Sequence, residues 1–152
     1  MSELKGIISE IDIIYKKKIK SKDLPKIDCS ATTNEILRNV WSDKIELYEE
    51  FVLLVLNRAN KCLGWVKISQ GGISGTVVDS KIILAIALKA AASGIIVAHN
   101  HPSGGTIPSQ ADKSCTRRLK ECCSLFDITF LDHMILSGDT NDYYSFADNG
   151  EL

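Results

Sequence analysis

The chain has 152 residues, of which 45% are hydrophobic and 24% are charged, and its formal net charge is −1. These proportions are typical of one soluble globular domain, and they exclude a disordered tail, a collagen-like repeat and a disulfide-dense mini-protein. So small a net charge provides no overall attraction to nucleic acid or to an anionic membrane. A chain of this length can also form a core without metal or disulfides, so a metal in it is expected to be functional.

The cysteines and the hydropathy pattern indicate the compartment. The five cysteines form no C-x-x-C pair, and residues 1–10 lack the long apolar run of a signal peptide. No apolar stretch approaches the roughly 20 residues that span a bilayer. We therefore expect a cytoplasmic protein with reduced thiols and no membrane contact.

Residues 1–30 are predicted to form an N-terminal extension ahead of a main domain at 31–152. The extension contains a β-prone run at 11–15, a basic cluster, and a linker at 25–30. The basic cluster is interpreted as a solvated loop or edge strand, and the alternative is a weak nucleic-acid contact. Its members are Lys16, Lys17, Lys18, Lys20 and Lys22.

Hydrophobic periodicity predicts an α/β fold for the main domain. The run at 51–56 is apolar on both faces, which is typical of a central strand, and the turn after it predicts a hairpin. The glycines at 71, 72 and 75 match no phosphate-binding pattern and predict a turn. Helices alternate with strands after the hairpin, which predicts a mixed β-sheet flanked by helices on both faces. The predicted elements are a helix at 32–43 capped by Thr32 or Thr33, strands at 51–56 and 62–69, a helix at 80–93 stopped by Gly94, a strand at 95–98, a helix at 109–126, and strands at 128–131 and 134–136.

Two histidines, His99 and His101, follow the predicted strand at 95–98. Side chains at i and i+2 of an extended chain project to the same side, so both imidazoles can reach one cation. Neutral imidazole nitrogens suit zinc, and Asp112 in the first turn of the next helix can supply a third ligand. Three protein ligands leave the fourth position for water, as in catalytic zinc sites.

The same residues also allow a purely structural interpretation. A bare H-x-H pattern is common by chance, and Ser109 followed three residues later by Asp112 fits a helix capping box. Capping and zinc ligation use the same carboxylate, so spacing alone leaves them as alternatives for Asp112. The third histidine, His133, lies in a strand-like context and is predicted to be a hydrogen-bonded core residue rather than a fourth ligand.

The complete pattern resembles a known motif. His99-x-His101, seven residues, Ser109, two residues and Asp112 resemble the JAMM motif of JAB/MPN-domain metalloproteases. The surrounding sequence is closer still to the RadC family, over about residues 33–152. The segments that carry this resemblance are HNHPSG at 99–104, PSQAD at 108–112, LDH at 131–133 and YYSFAD at 143–148. The resemblance implies the three-layer, cytidine-deaminase-like architecture of JAB/MPN domains.

The resemblance also implies roles for individual residues. His99, His101 and Asp112 would hold zinc, and Ser109 would donate a hydrogen bond to the developing oxyanion. The general base of the motif corresponds to Glu49. Nearby Glu46 and Glu50 are rivals for this role, but the side chain of Glu50 is expected to leave the opposite face of the strand.

The implied function is that of a zinc-dependent metallohydrolase, a peptidase or isopeptidase in which a glutamate activates a zinc-bound water. The implied substrate is a peptide, an isopeptide to a lysine or another amide. The alternative is a DNA-repair or recombination accessory protein of RadC type that binds nucleic acid and has a zinc site but no peptidase role. A non-catalytic MPN-like scaffold is the third possibility, and the complete motif argues against it.

Overall fold

The computed structural model describes residue 16 and residues 18–71 and 77–152. The predicted β-prone run at 11–15 and the residues Lys17, Gly72 and Gly75 lie outside this part of the chain. A short 3-10 helix at Ser21–Asp23 precedes the main elements. In chain order these are α1 (Ser30–Val40), β1 (Glu50–Leu56), β2 (Cys62–Gln70), α2 (Ser80–Lys89), β3 (Gly94–His101), α3 (Gln110–Ser124), β4 (Thr129–Ser137) and β5 (Tyr143–Ser145).

The strands form one five-stranded sheet in the order β2-β1-β3-β4-β5. β3 and β4 are parallel, and every other neighbouring pair is antiparallel. All seven residues of β1 are buried, and the apolar run at 51–56 predicts this burial for a central strand. The predicted hairpin and mixed sheet are therefore confirmed.

Helices cover both faces of the sheet. On one face, Ile83 of α2 and Leu119 of α3 pack in a cluster with Phe51 and other odd-numbered residues of β1 and β3. On the other face, Leu37 of α1 packs with Val52 and other even-numbered residues of the same strands. Because side chains alternate along a strand, each strand contributes to both cores. The predicted α/β fold with helices on both faces is confirmed.

The boundaries of two helices differ from the prediction. Helix α1 begins earlier than predicted, after Cys29, and no side chain caps it. Thr33 lies in its first turn and donates its hydroxyl proton to the Cys29 carbonyl at 3.1 Å, so the predicted cap at Thr32 or Thr33 is wrong. Helix α2 ends at Lys89, before Gly94, because Ala91 adopts a left-handed backbone with φ of 51° and turns the chain.

The last strands also differ from the prediction. β4 is one continuous strand where two were predicted, because Asp132 and His133 are buried within it despite their polarity. β5 was not predicted. The division of the chain at residue 30 stays a prediction, although Ile27 within the predicted linker is buried in the α1-side core. Over the described ranges, no helix combines the length and apolarity needed to cross a membrane.

Candidate metal centre

The pairing of β1 with β3 determines which side chains reach the candidate site. Phe51 lies opposite His99 in this antiparallel pair. Alternation along β3 then directs His99 and His101 to the face that α2 and α3 cover. Extending the register by two residues brings Glu49 opposite His101. The histidines thus lie within the end of β3, not beyond it as predicted.

His99, His101 and Asp112 converge on one point. The Nε2 atom of His99 lies 3.1 Å from Nε2 of His101 and 3.1 Å from Oδ1 of Asp112. Nε2 of His101 lies 3.6 Å from Oδ2 of Asp112. Two ligands bound tetrahedrally at zinc–ligand distances of about 2.0–2.1 Å are about 3.3–3.4 Å apart. The three side chains therefore fit a single metal ion of this size.

The outer ring nitrogens of both histidines are already engaged. Nδ1 of His101 lies 2.9 Å from the Gly105 carbonyl oxygen, which can only accept a hydrogen bond. Nδ1 of His99 lies 2.9 Å from Nε2 of His133. A ligating histidine usually donates its second N–H in this way, which fixes the orientation of the ring. Both Nε2 atoms are thus directed at the candidate centre.

Asp112 caps helix α3 and faces the histidines at the same time. Its Oδ2 accepts the backbone N–H of Ser109 at 2.7 Å, and the Ser109 hydroxyl accepts the N–H of Asp112 at 3.1 Å, which is the predicted capping box. Its Oδ1 remains directed at His99. The cap therefore leaves Oδ1 of Asp112 facing the histidines, and metal ligation by this residue stays a prediction.

The electrostatics of the site favour an anionic Asp112. Burial raises the pKa of the Asp112 carboxyl, but the neighbouring imidazoles of His101 and His99 outweigh this effect and hold the pKa well below its usual range. The hydrogen bond with Asp112 raises the pKa of His101, against the lowering effect of burial. Burial, with a smaller effect from the nearby His99, lowers the pKa of His133 well below its usual value. Asp112 is therefore ionised and His133 is neutral near pH 7.

An open cleft of about 540 Å³ lies over the candidate centre. The residues that line it come from β1 and the residue before it, the segment before α2, the end of β3, helix α3 with its cap, and β4. They include Glu49, His101, Ser109, Asp112, Cys115, Arg118 and His133. The structure thus brings Glu49 and Ser109 together with two of the three candidate ligands, and the third, His99, is buried beneath them. The roles of Glu49 and Ser109 stay predictions.

The rival glutamates do not line this cleft. Glu50 is 0% exposed and points to the opposite face of the sheet, as the alternation of side chains predicts. There its carboxylate accepts a hydrogen bond from the Ser42 hydroxyl at 2.7 Å and forms an ion pair with Lys67. Glu46 is exposed in the turn before β1. Of the three glutamates, only Glu49 is a cleft residue.

Two residues support the site through contacts that were not predicted from the sequence. The buried Asn100 side chain accepts the Glu50 N–H at 2.8 Å and donates to the carbonyls of Ile45 at 2.6 Å and Tyr48 at 2.8 Å, which anchors the segment that carries Glu49. Thr116 contacts His133. Its position four residues after Asp112 on a helix was the only available signal. His133 itself is the buried, hydrogen-bonded residue that its context predicts.

The comparisons with known proteins identify the family of the chain. The RadC-like JAB domain model matches residues 27–151. A UPF0758 protein of Flavobacterium johnsoniae is 44% identical over 103 residues, which are 68% of this chain and 44% of that protein. A UPF0758 protein of Porphyromonas gingivalis is 35% identical over 137 residues, 90% of this chain and 60% of that protein. The UPF0758 protein YfjY of Escherichia coli K12 is 44% identical over 104 residues, 68% of this chain and 64% of that protein.

The chain spans between 44% and 64% of the length of these relatives. The residues that the family model matches include the whole sheet and the His-His-Asp group that could hold a metal ion. The family model covers most of the chain. The chain belongs to the RadC-like JAB domain family.

Proposed function

We propose that the protein is a zinc-dependent metallohydrolase that cleaves an amide bond in a peptide or in an isopeptide to a lysine. The observation that carries the proposal is the triangle of His99, His101 and Asp112, whose facing atoms are separated by 3.1, 3.1 and 3.6 Å. The resemblance of the family to JAMM metalloproteases supports the choice of reaction.

The donor set supports zinc over other divalent cations. Two imidazole nitrogens and one carboxylate suit zinc, whereas calcium and magnesium prefer oxygen ligands. Three protein ligands would leave one coordination position open toward the cleft, which is typical of a catalytic rather than a structural zinc site.

The residues of the cleft support hydrolysis. When bound, zinc would lower the pKa of a coordinated water toward neutrality and polarise the carbonyl of the substrate. Glu49 would accept the proton of the attacking water and deliver it to the leaving amine. The Ser109 hydroxyl accepts the Asp112 N–H and retains its own proton, which it would donate to the developing oxyanion.

The experiment measures zinc content and amide hydrolysis on the same preparations, with a peptide panel and lysine-isopeptide substrates. His101→Ala should lose zinc, since a ligand is removed. Glu49→Gln should retain zinc and lose turnover, because an amide does not accept the proton of water at neutral pH. Ser109→Ala should retain zinc and lose about 10²-fold in rate. Glu46→Gln is the matched control, because Glu46 is exposed outside the cleft, and it should behave as wild type.

Two results would contradict the proposal. Protein without zinc after growth in zinc-replete medium, or His101→Ala protein with unchanged zinc, would exclude the metal centre. Wild-type protein that holds zinc but hydrolyses no substrate in the panel would instead favour a non-catalytic MPN-like scaffold.

A further inference from the structure

A continuous series of hydrogen bonds runs behind the candidate metal centre. His133 of β4 is 1% exposed, and its ring lies between His99 of β3 and Thr116 of α3. Its Nε2 is 2.9 Å from Nδ1 of His99, and its Nδ1 is 2.7 Å from the hydroxyl oxygen of Thr116. That hydroxyl is also 2.8 Å from the backbone carbonyl oxygen of Asp112. The series therefore begins at one candidate ligand and ends on the backbone of another.

The last contact determines the direction of the whole series. A carbonyl has no proton to donate, so the hydroxyl of Thr116 must donate to Asp112. That hydroxyl has only one proton, and it must therefore accept from Nδ1 of His133. A neutral imidazole has a single N–H, so Nε2 of His133 accepts, and Nδ1 of His99 carries the proton. The unprotonated Nε2 of His99 then faces the candidate centre.

If every hydrogen bond in the series ran in the reverse direction, the arrangement would be less favourable, and His99 could not bind a metal. It would place an oxygen lone pair of Thr116 against the Asp112 carbonyl oxygen at 2.8 Å. It would also protonate Nε2 of His99, which could not then bind a metal. Nε2 of His99 also lies 3.1 Å from Oδ1 of Asp112, an acceptor that competes for a proton on this nitrogen, so the metal-free protein is the stringent test of the direction.

We propose that His133 and Thr116 are positioning residues that hold His99 in the tautomer with a proton on Nδ1 and a free Nε2. Aromatic contacts keep both rings in place, since Phe51 lies parallel to His99 with centroids 6.2 Å apart and Phe146 stacks on His133 with centroids 4.9 Å apart. The inference rests on the proposed metal site, but the tautomer is measurable without metal or substrate.

The test is a two-bond ¹⁵N–¹H correlation spectrum of the metal-free protein, at a pH above the ordinary imidazole range. We expect His99 and His133 both to carry their proton on Nδ1. Thr116→Val keeps the shape of the side chain but removes the hydroxyl, so it should abolish the single tautomer of His133 and weaken zinc binding by about 10- to 100-fold. Thr116→Ser restores the hydroxyl and should retain the wild-type tautomers and zinc affinity.

A second variant tests the same inference at its centre. His133→Phe removes the acceptor for His99 in an aromatic environment, and it should weaken zinc binding over the same range while near-UV circular dichroism stays native. A proton on Nε2 of His99 in wild-type metal-free protein would overturn the inference, as would unchanged tautomers and zinc affinity in Thr116→Val. Neither result depends on hydrolysis, so loss of the proposed activity alone is distinguishable from failure of this inference.

Discussion

Replacing Glu50 with glutamine should destabilise the fold, whereas the same change at Glu49 should not. Glu50 is 0% exposed, and its carboxylate is held by the Ser42 hydroxyl at 2.7 Å and by the ammonium group of Lys67. Glu49 lies at the wall of an open cleft, half-buried. The two neighbouring glutamates should therefore differ in how much stability the same substitution costs.

The magnitude follows from the burial of each partner. Removing one member of a fully buried ion pair costs about 3–5 kcal/mol. The side chain of Lys67 is 37% exposed, so water solvates its charge once the carboxylate is gone. Glutamine also retains an oxygen that accepts from Ser42. We therefore expect a loss of about 1–3 kcal/mol in the free energy of unfolding, which lowers Tm by about 2–12 °C in a chain of this size.

The assay is urea unfolding followed by circular dichroism, with the dependence on urea concentration compared between variants. Glu49→Gln is the matched control and should stay within about 0.5 kcal/mol of wild type. If Glu50→Gln left the free energy of unfolding unchanged while Glu49→Gln lowered it, the assignment of the two side chains to opposite faces would be refuted. If Glu50→Gln alone abolished amide hydrolysis, Glu50 rather than Glu49 would be the base, although the reaction could stand.

Three further predictions concern other parts of the molecule. Asp112→Ala should lose zinc affinity and about 1 kcal/mol of stability, because its side chain both faces the candidate metal centre and caps α3. Zinc titration measures the first loss, and urea unfolding measures the second. Burial raises the pKa of the Asp132 carboxyl, so its contribution to stability is full below the ordinary aspartate pKa and is lost as the pH rises through the raised value. In urea unfolding across that range, Asp132→Asn should show a smaller loss of stability than wild type. Any DNA binding by the exposed lysines between positions 16 and 22 should be weak and steeply salt-dependent in fluorescence anisotropy, and tight binding at physiological salt would favour the accessory role in DNA repair.

The parts of the fold that were predicted correctly are those that local patterns determine. β1 is apolar at every position after Glu50, so its burial on both faces could be predicted without knowledge of its neighbours. The capping box of α3 depends on two residues three positions apart, so it could also be predicted from the sequence. Such features need no information from distant parts of the chain.

The errors arose where partners come from distant segments. Asp132 interrupts the apolar pattern of β4, and its burial depends on the Ser145 hydroxyl at 2.6 Å and the Ala147 N–H at 3.0 Å. Both partners lie after the strand, so the polar residue indicated a break that does not exist. The end of α2 was missed because Ala91 adopts a left-handed backbone that its sequence does not indicate.

The same distinction between local and distant partners applies to the candidate site. Its candidate ligands could be identified because the spacing of His99, His101 and Asp112 resembles a known family motif. The residues that orient the two histidines could not be predicted, because His133 reaches His99 only through the parallel pairing of β3 with β4. The geometry of Asp112 could not be predicted either, because a spacing does not show that Oδ2 accepts the capping hydrogen bond while Oδ1 faces His99. A sequence motif therefore identifies the atoms that can bind a metal, while the tertiary structure determines which of their lone pairs are free to do so.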